Sequence, residues 1–151
     1  MRKTGLIGLF VFCLVLTLPA VAGQVSGSGS AMVVSDAPSE TELADGRMYV
    51  ELHSNQVLGS DGHPFDGVVM SCGGVCLMDG EDGTCFGGCA GMDRDGDMIH
   101  FSYDGNTSGG WNLLGGTGKW VGSSGSGTWK EIGPAGAGFS KTDWTGTIQI
   151  K

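Results

Sequence analysis

Four cysteines between residues 72 and 89 constrain the fold more than any other feature of the sequence. They form two C-x3-C units separated by eight residues, around a run of turn-forming residues, DGEDG. The numbers of the outer two cysteines have the same sum as those of the inner two, which places the members of each pair opposite one another in an antiparallel hairpin. Side chains alternate with a period of two along a strand, so all four share one face. The spacing predicts two disulfides, Cys72–Cys89 and Cys76–Cys85.

Zinc binding by four thiolates is the alternative interpretation of these cysteines. Structural zinc sites favour C-x2-C to C-x4-C units, so the spacing alone leaves zinc open. The matched antiparallel positions and an oxidising compartment, argued next, favour disulfides. A redox-active pair would need an electropositive setting or a helix N-terminus, and neither is visible around these units.

The first 22 residues have the pattern of a secretory signal peptide. Two basic residues precede an apolar run over 6–18, and the run ends in Pro-Ala-Val-Ala, which contains an A-x-A cleavage pattern. The run is short for a membrane span, so we expect removal after Ala22 and no transmembrane segment in the mature protein. Cys13 would leave with it, and an even set of four cysteines would remain. The predicted location is secreted or periplasmic.

The charge balance excludes some classes of partner. Without the two basic residues of 1–22, six basic side chains remain against sixteen acidic ones, a net charge of −10. Such a surface argues against nucleic acid and anionic membranes as partners. It is typical of a soluble, self-repelling protein.

The remaining chain divides into two parts by composition. Residues 23–44 are rich in Gly and Ser and then acidic, which predicts a flexible tether. The triplet at 32–34, Met-Val-Val, is the one segment there that favours strand pairing. Residues 45–151 are enough for one domain with a modest core.

Short alternating segments predict an all-β domain. Thirty glycines interrupt any helical period, and apolar residues recur at every second position instead. In 98–104, for example, Ile99, Phe101 and Tyr103 share one face. Seven or eight such strands fit a sandwich or a small closed antiparallel β-barrel of about eight strands. The predicted strands are 47–53, 67–77, 84–92, 98–104, 111–114, 127–132 and 143–151.

One glycine-rich run carries a family resemblance. The segment 115–129, GGTGKWVGSSGSGTW, resembles a signature of the allene oxide cyclase-like barrels, and plant dirigent proteins carry a similar run. With the D-x-D-G-D turn at 93–97, the order of elements is also similar to that of small secreted bacterial proteins placed with this fold. The similarity covers about 93–129, with weaker support to 151. The resemblance implies an eight-stranded barrel, often a homo-oligomer, whose lumen binds small hydrophobic or phenolic molecules.

The family's catalytic residues match no position in this chain, so candidate site residues come from strand faces alone. Trp129 and Glu131 share a face, and if Trp129 points inward so does Glu131. A carboxylate in an apolar lumen is a candidate general acid or base. Phe101 and Tyr103 would line the same cavity as ligand-binding residues. The alternative is that Glu131, close to a strand end, simply reaches water.

The remaining polar residues give weaker signals. Asp93, Asp95 and Asp97 resemble the opening of a calcium loop, but Met98 stands where a glycine belongs, and no helices flank the segment. A hairpin turn is the favoured interpretation, and we predict neither a metal nor a cofactor. The three histidines lie apart in the sequence, and those at 53 and 100 fall on polar strand faces, as surface residues do.

Three functions remain open on these observations. The first is a binding barrel for a small apolar or aromatic ligand without turnover. The second is an isomerase or cyclase of the allene oxide cyclase type that uses Glu131, and the third is a structural or surface-interaction domain with a filled lumen. The volume of the lumen discriminates among them, because ligand sites need about 300 Å³ or more.

Overall fold

The computed structural model describes residues 23–136 and 139–151. The predicted signal peptide, 1–22 with Cys13, lies outside the described residues. Within the described ranges the only helical element is one 3-10 turn of three residues, so no helix there is long and apolar enough to cross a membrane.

The described residues form nine strands and one short 3-10 helix, η1 (Gly118–Trp120). The strands are β1 (Gly23–Ser35), β2 (Ser39–Glu42), β3 (Met48–Gly59), β4 (Val69–Asp79), β5 (Asp82–Met92), β6 (Met98–Asp104), β7 (Ser108–Gly116), β8 (Ser124–Gly136) and β9 (Phe139–Ile150).

Eight of these strands close into an antiparallel barrel. Their order is β1-β9-β8-β7-β6-β5-β4-β3, and β1 pairs with β3 to complete the circle. β2 lies outside this circle and pairs with the first part of β3. The predicted all-β barrel of about eight strands is confirmed. Closure matters because it satisfies the backbone groups that an open sheet would leave at its edges.

The cysteine hairpin is confirmed in register and in pairing. β4 and β5 place Cys72 opposite Cys89 and Cys76 opposite Cys85, and both disulfides are formed. All four positions belong to the inward set of the two strands, where the side chains at 72, 76 and 85 are buried. The predicted shared face is therefore the inner face of the barrel.

The prediction of a flexible tether over 23–44 is wrong for β1 and β2, which cover residues 23–35 and 39–42. β1 pairs with β9 from Gly23 to Val34, and its second half also pairs with β3. Ala31 and Val33 point inward and are buried. A Gly/Ser-rich composition is typical of flexible linkers, but here small residues are needed for packing. A side chain at Gly29 would contact Trp144. The barrel thus includes residues 23–35, which precede the predicted start of the domain at 45.

The other predicted strands are present, and all but one of them have different ends. β6 has the predicted bounds, and Ile99 and Phe101 are buried on its inner face, as the alternation indicates. β7 and β8 are longer than predicted because their ends run through glycine and serine. Those residues pair through the backbone without an apolar side chain to signal it.

The lumen is filled at one end and open at the other. The filled end, here called the base, carries the loop 60–68, the turn 93–97 and η1. Five large side chains are completely buried there: Trp120, Phe65, Ile99, Ile148 and Val68. The opposite end, here called the mouth, lies beyond the last residues of β1 and β6 and the first residues of β9.

Candidate functional site

A buried carboxylate ties the elements of the base together. Asp93 is 7% exposed, and its Oδ1 accepts hydrogen bonds from the backbone N–H groups of Asp95 (2.9 Å) and Asp97 (3.0 Å). Its Oδ2 accepts one from Trp120 Nε1 (2.8 Å) and lies 2.9 Å from Lys119 Nζ. Burial alone would raise the pKa of Asp93, but the hydrogen bonds from Lys119, Trp120 and the two amides outweigh it and lower the pKa to about 2.

The carboxylates of Asp95 and Asp97 also interact with Lys119. Asp95 Oδ2 lies 2.6 Å from Lys119 Nζ, and Asp97 Oδ2 accepts a hydrogen bond from the Lys119 backbone N–H (3.2 Å). The three aspartates of this turn therefore already have partners, which are the Lys119 ammonium group and N–H donors of the turn and of η1. Within the described ranges no three His, Cys, Asp or Glu side chains are arranged to hold a metal ion.

A cavity of about 350 Å³ occupies the mouth half of the lumen. Its floor is formed by aromatic rings from three separate parts of the chain, Phe65, Trp111 and Trp144. Phe65 comes from the base loop and contacts both tryptophan rings, with centroids 5.7 and 5.3 Å away. The base packing therefore defines how deep the cavity reaches.

The wall of the cavity has two chemically different sides. Strands β4 to β8 contribute an aromatic and sulfur-containing side, formed by Met70, Cys85, Cys89, Phe101, Tyr103 and Trp129 above the floor. Strands β9, β1 and β3, which are adjacent in the barrel, contribute hydroxyl and amide groups beside the aliphatic side chains of Ala31, Val33, Leu52 and Leu58. These polar side chains are Ser35, Ser54, Gln56, Ser140 and Thr142.

All four predicted site residues line this cavity. Phe101 is buried, while Tyr103 and Trp129 are half-buried and pack edge to face, with centroids 6.5 Å apart and planes at 87°. Trp129 Nε1 donates to the Asp104 carbonyl (2.9 Å), which fixes the indole in the wall. Burial raises the pKa of the Tyr103 hydroxyl above 10.0, so this group stays neutral near pH 7.

Glu131 lies at the mouth and is exposed to solvent. Its backbone N–H donates to the Thr107 carbonyl (2.8 Å), which holds this end of β8 against the turn after β6. The catalytic hypothesis required a carboxylate enclosed in an apolar lumen, and the structure provides a solvated one at its entrance. Asp36 and Asn106 lie at the same entrance.

Two glycine pairs support the aromatic rings of the lumen. Gly74 lies opposite Gly87 on β4 and β5, and a Cβ at position 87 would come within 2.6 Å of the Tyr103 ring. In the same way Gly127 lies opposite Gly146, and a Cβ at Gly127 would come within 2.6 Å of the Trp111 ring. Glycine at these positions lets each ring lie directly on the backbone.

The base loop contributes a histidine that the sequence did not single out. His63 is buried, and its Nδ1 accepts a hydrogen bond from the Phe65 backbone N–H (3.1 Å), so the neutral ring carries its proton on Nε2. That Nε2 and the Trp144 Nε1 are buried without a hydrogen-bond partner among the residues that the structure describes. The two rings are neighbours, with centroids 5.1 Å apart. Burial lowers the pKa of His63 below 6.5. His53 and His100 are exposed on strand faces, as predicted.

The polar side of the wall was also missed. Ser54 and Gln56 continue β3 beyond its predicted end, and Ser140 and Thr142 precede the predicted start of the last strand. Their alternation with outward residues was the available signal, but serine and threonine are common in loops.

Comparison with known proteins supports the fold. The chain is similar in structure to two pterocarpan synthase dirigent proteins, GePTS1 and PsPTS1, at 13% and 11% sequence identity, each with a TM-score of 0.52. The match covers 89% of this chain and 95% of the first protein, and 85% and 96% for the second. At such identity the likeness shows a common barrel fold and nothing finer. No family model matches the sequence, and no curated protein matches it significantly.

Proposed function

We propose that this dirigent-like barrel binds a small apolar or aromatic ligand in the mouth half of its lumen. The observation that carries the proposal is the cavity of about 350 Å³, which opens at one end and has an aromatic floor. Ligand sites typically have volumes of 300–1,000 Å³, apolar walls and a few polar groups. The third function considered above, a domain with a filled lumen, is disfavoured by the same cavity.

Binding without turnover is the version that the lining residues favour. Among the described lining residues, the carboxylates Asp36 and Glu131 are exposed at the mouth, and the imidazole of His53 is exposed on the outer face of β3 beside Gly73. Tyr103 is the titratable group that lies deeper, and burial keeps it protonated. Efficient acid–base catalysis needs a group whose pKa lies near the working pH and which touches the reacting atoms. The cyclase alternative would have to use Glu131 from the entrance.

We further propose that the protein acts in an oxidising compartment, secreted or periplasmic. Two disulfides within one hairpin support this location, because they persist outside the reducing cytosol. The pattern of residues 1–22 supports the same location.

A fluorescent probe tests lumen binding directly. N-phenyl-1-naphthylamine is a neutral aromatic dye whose emission rises in apolar surroundings, and we expect saturable one-to-one binding to the wild-type protein. Thr142→Trp should abolish it by filling the cavity from β9, because Thr142 lines the lumen. Thr145→Trp is the matched control, since Thr145 is exposed on the same strand.

Circular dichroism and urea unfolding establish that both variants are folded. Equal dye affinity in wild-type protein and folded Thr142→Trp would place the dye outside the lumen and contradict the proposal. An absence of saturable binding by wild-type protein would also contradict it.

A further inference from the structure

The charges around the cavity are of one sign. Two carboxylates, Asp36 and Glu131, line the mouth, and no lysine or arginine is among the described lining residues. His53 is the one residue of that set with a basic side chain, and its imidazole is exposed on the outer face of β3 beside Gly73. The stretch 135–138 reads Ala-Gly-Ala-Gly and carries no charge. An anion entering this mouth would therefore meet two like charges.

The charge of the whole chain acts in the same direction. Sixteen acidic against eight basic side chains give a net charge of −8, so the average potential around the protein is negative. A cleft with low-dielectric walls focuses such a field and raises the local concentration of cations. We therefore expect cations to be concentrated at the mouth, where Asp36 and Glu131 border the apolar cavity.

Inside the mouth, six aromatic rings meet at steep angles. Phe101 and Trp111 are inclined at 81°, Trp111 and Trp144 at 84°, and Tyr103 and Trp129 at 87°. Phe65 packs against Phe101, Trp111 and Trp144. Rings set at right angles present both faces and edges to a shared space. The face of an aromatic ring attracts a cation, and desolvated contacts of this kind contribute more than exposed ones.

The polar side of the wall is compatible with a cation because it is neutral. Ser54, Gln56 and Thr142 carry oxygen atoms that accept hydrogen bonds from the N–H groups of an ammonium ion. The same groups would also serve a neutral ligand, so they do not discriminate by charge. Discrimination therefore comes from the aromatic side and from the mouth.

We infer that the lumen is selective for an organic cation with an apolar body, such as an amine or a quaternary ammonium compound. The cationic group is stabilised by the ring faces and by Asp36 and Glu131, and the apolar body lies on the aromatic floor. This inference rests on the proposed function, because it assigns the charge of the ligand that the lumen takes.

Three probes of nearly the same shape but different charge test the inference. Phenyltrimethylammonium, tert-butylbenzene and benzenesulfonate share one ring and differ in a cationic, neutral or anionic substituent. Their affinities are measured by displacement of N-phenyl-1-naphthylamine at 0.1 M salt, where charges more than about 10 Å away are largely screened. We expect the cation to bind at least as tightly as the hydrocarbon and about tenfold or more tighter than the anion.

Two double variants locate the source of the selectivity. Asp36→Asn with Glu131→Gln removes both mouth charges with little change of shape, and should lower the ratio of cation to hydrocarbon affinity roughly three- to tenfold. Asp61→Asn with Asp143→Asn removes the same charge from the base loop and the outer wall, where both residues are exposed. That control should leave the ratio within about twofold of the wild-type value.

The outcomes separate this inference from the function on which it rests. If the dye and the hydrocarbon bind but the cation binds more weakly than the hydrocarbon, the inference fails while lumen binding stands. An equal loss of selectivity in both double variants would attribute it to net charge and overturn the assignment to the mouth. If neither the dye nor any of the three probes binds, the proposed function fails as well.

Discussion

At the scale of single residues, Asp93 shows how a polar group can be essential to an apolar core. It joins the turn after β5 to η1 through four donors, and one of them is the indole of the fully buried Trp120. A carboxylate supplies acceptors only, which is what four converging donors require. An amide of the same size would direct its own N–H group at one of these donors.

Asp93→Asn should therefore destabilise the protein by about 1.5–3 kcal/mol near pH 7, the range for a buried hydrogen bond to a charged group. Urea unfolding measures this difference. Because the folded pKa of about 2 is lower than the ordinary value of 3.8, the contribution of Asp93 is present above pH 3.8 and lost as the pH falls through about 2. The two proteins should thus converge in stability over that range. A difference independent of pH from 5 to 2 would contradict the assigned ionisation.

His63 makes the opposite kind of contribution, because the neutral ring is the buried form. Burial lowers its pKa below 6.5 in the folded state, so the unfolded chain takes up the proton first as the pH falls. Stability should therefore decrease below pH 6.5, by at most about 1.4 kcal/mol per pH unit for this one group.

His63→Asn removes that titration and should flatten the dependence of unfolding free energy on pH between 6.5 and 5. The variant is also less stable at every pH, because a smaller side chain leaves space beside Phe65 and Trp144. The slope is therefore the relevant readout. Identical slopes for the two proteins would show that the imidazole is solvated rather than buried.

At the scale of elements, packing of the lumen rings explains why glycine lies opposite glycine on two pairs of neighbouring strands. Tyr103 covers Gly74 and Gly87, and Trp111 covers Gly127 and Gly146. Glycine is required at these positions because the lumen rings occupy the space that a Cβ would need.

Gly74→Ala tests this arrangement, with Gly73→Ala as the neighbouring control. A Cβ at Gly74 would collide with the Tyr103 hydroxyl, and we expect a loss of roughly 1–3 kcal/mol on urea unfolding together with weaker dye binding. A Cβ at Gly73 points outward and meets its nearest atom, in His53, at 3.6 Å, so its effect should stay within about 0.5 kcal/mol. Equal effects of the two substitutions would rule out the ring contact as the cause.

Some elements were predictable from sequence because their signals are local. The β4–β5 hairpin follows from cysteine spacing and a turn motif, and the inner face of β6 follows from alternation. The role of β1 was not predictable from composition. A Gly/Ser-rich segment has the same sequence pattern whether it packs against a tryptophan far away in the chain or is a solvated linker. The packing of Phe65 was not predictable for a related reason: only closure of the barrel brings this ring between Trp111 and Trp144.

At the scale of the whole molecule, the barrel is built as two halves with different roles. The base is packed with large side chains and held by Asp93, and its loop contributes Phe65 to the cavity floor. The mouth half keeps a cavity of about 350 Å³ between an aromatic side and a polar side. Trp129 and Glu131 were predicted to share a face, and both line the cavity. The indole of Trp129 is half-buried, whereas the Glu131 side chain is exposed. That gradient depends on where β8 meets the mouth, which no strand pattern encodes.

The most direct test of this account is solution NMR of the protein with bound N-phenyl-1-naphthylamine. We predict intermolecular nuclear Overhauser effects from the dye to the ring protons of Phe101 and Trp111, which line the cavity, and none to Val57 or Val69, which are exposed on the outer wall. Contacts to the outer valines without contacts to the lumen rings would contradict the claim that the open half of the barrel is the binding site.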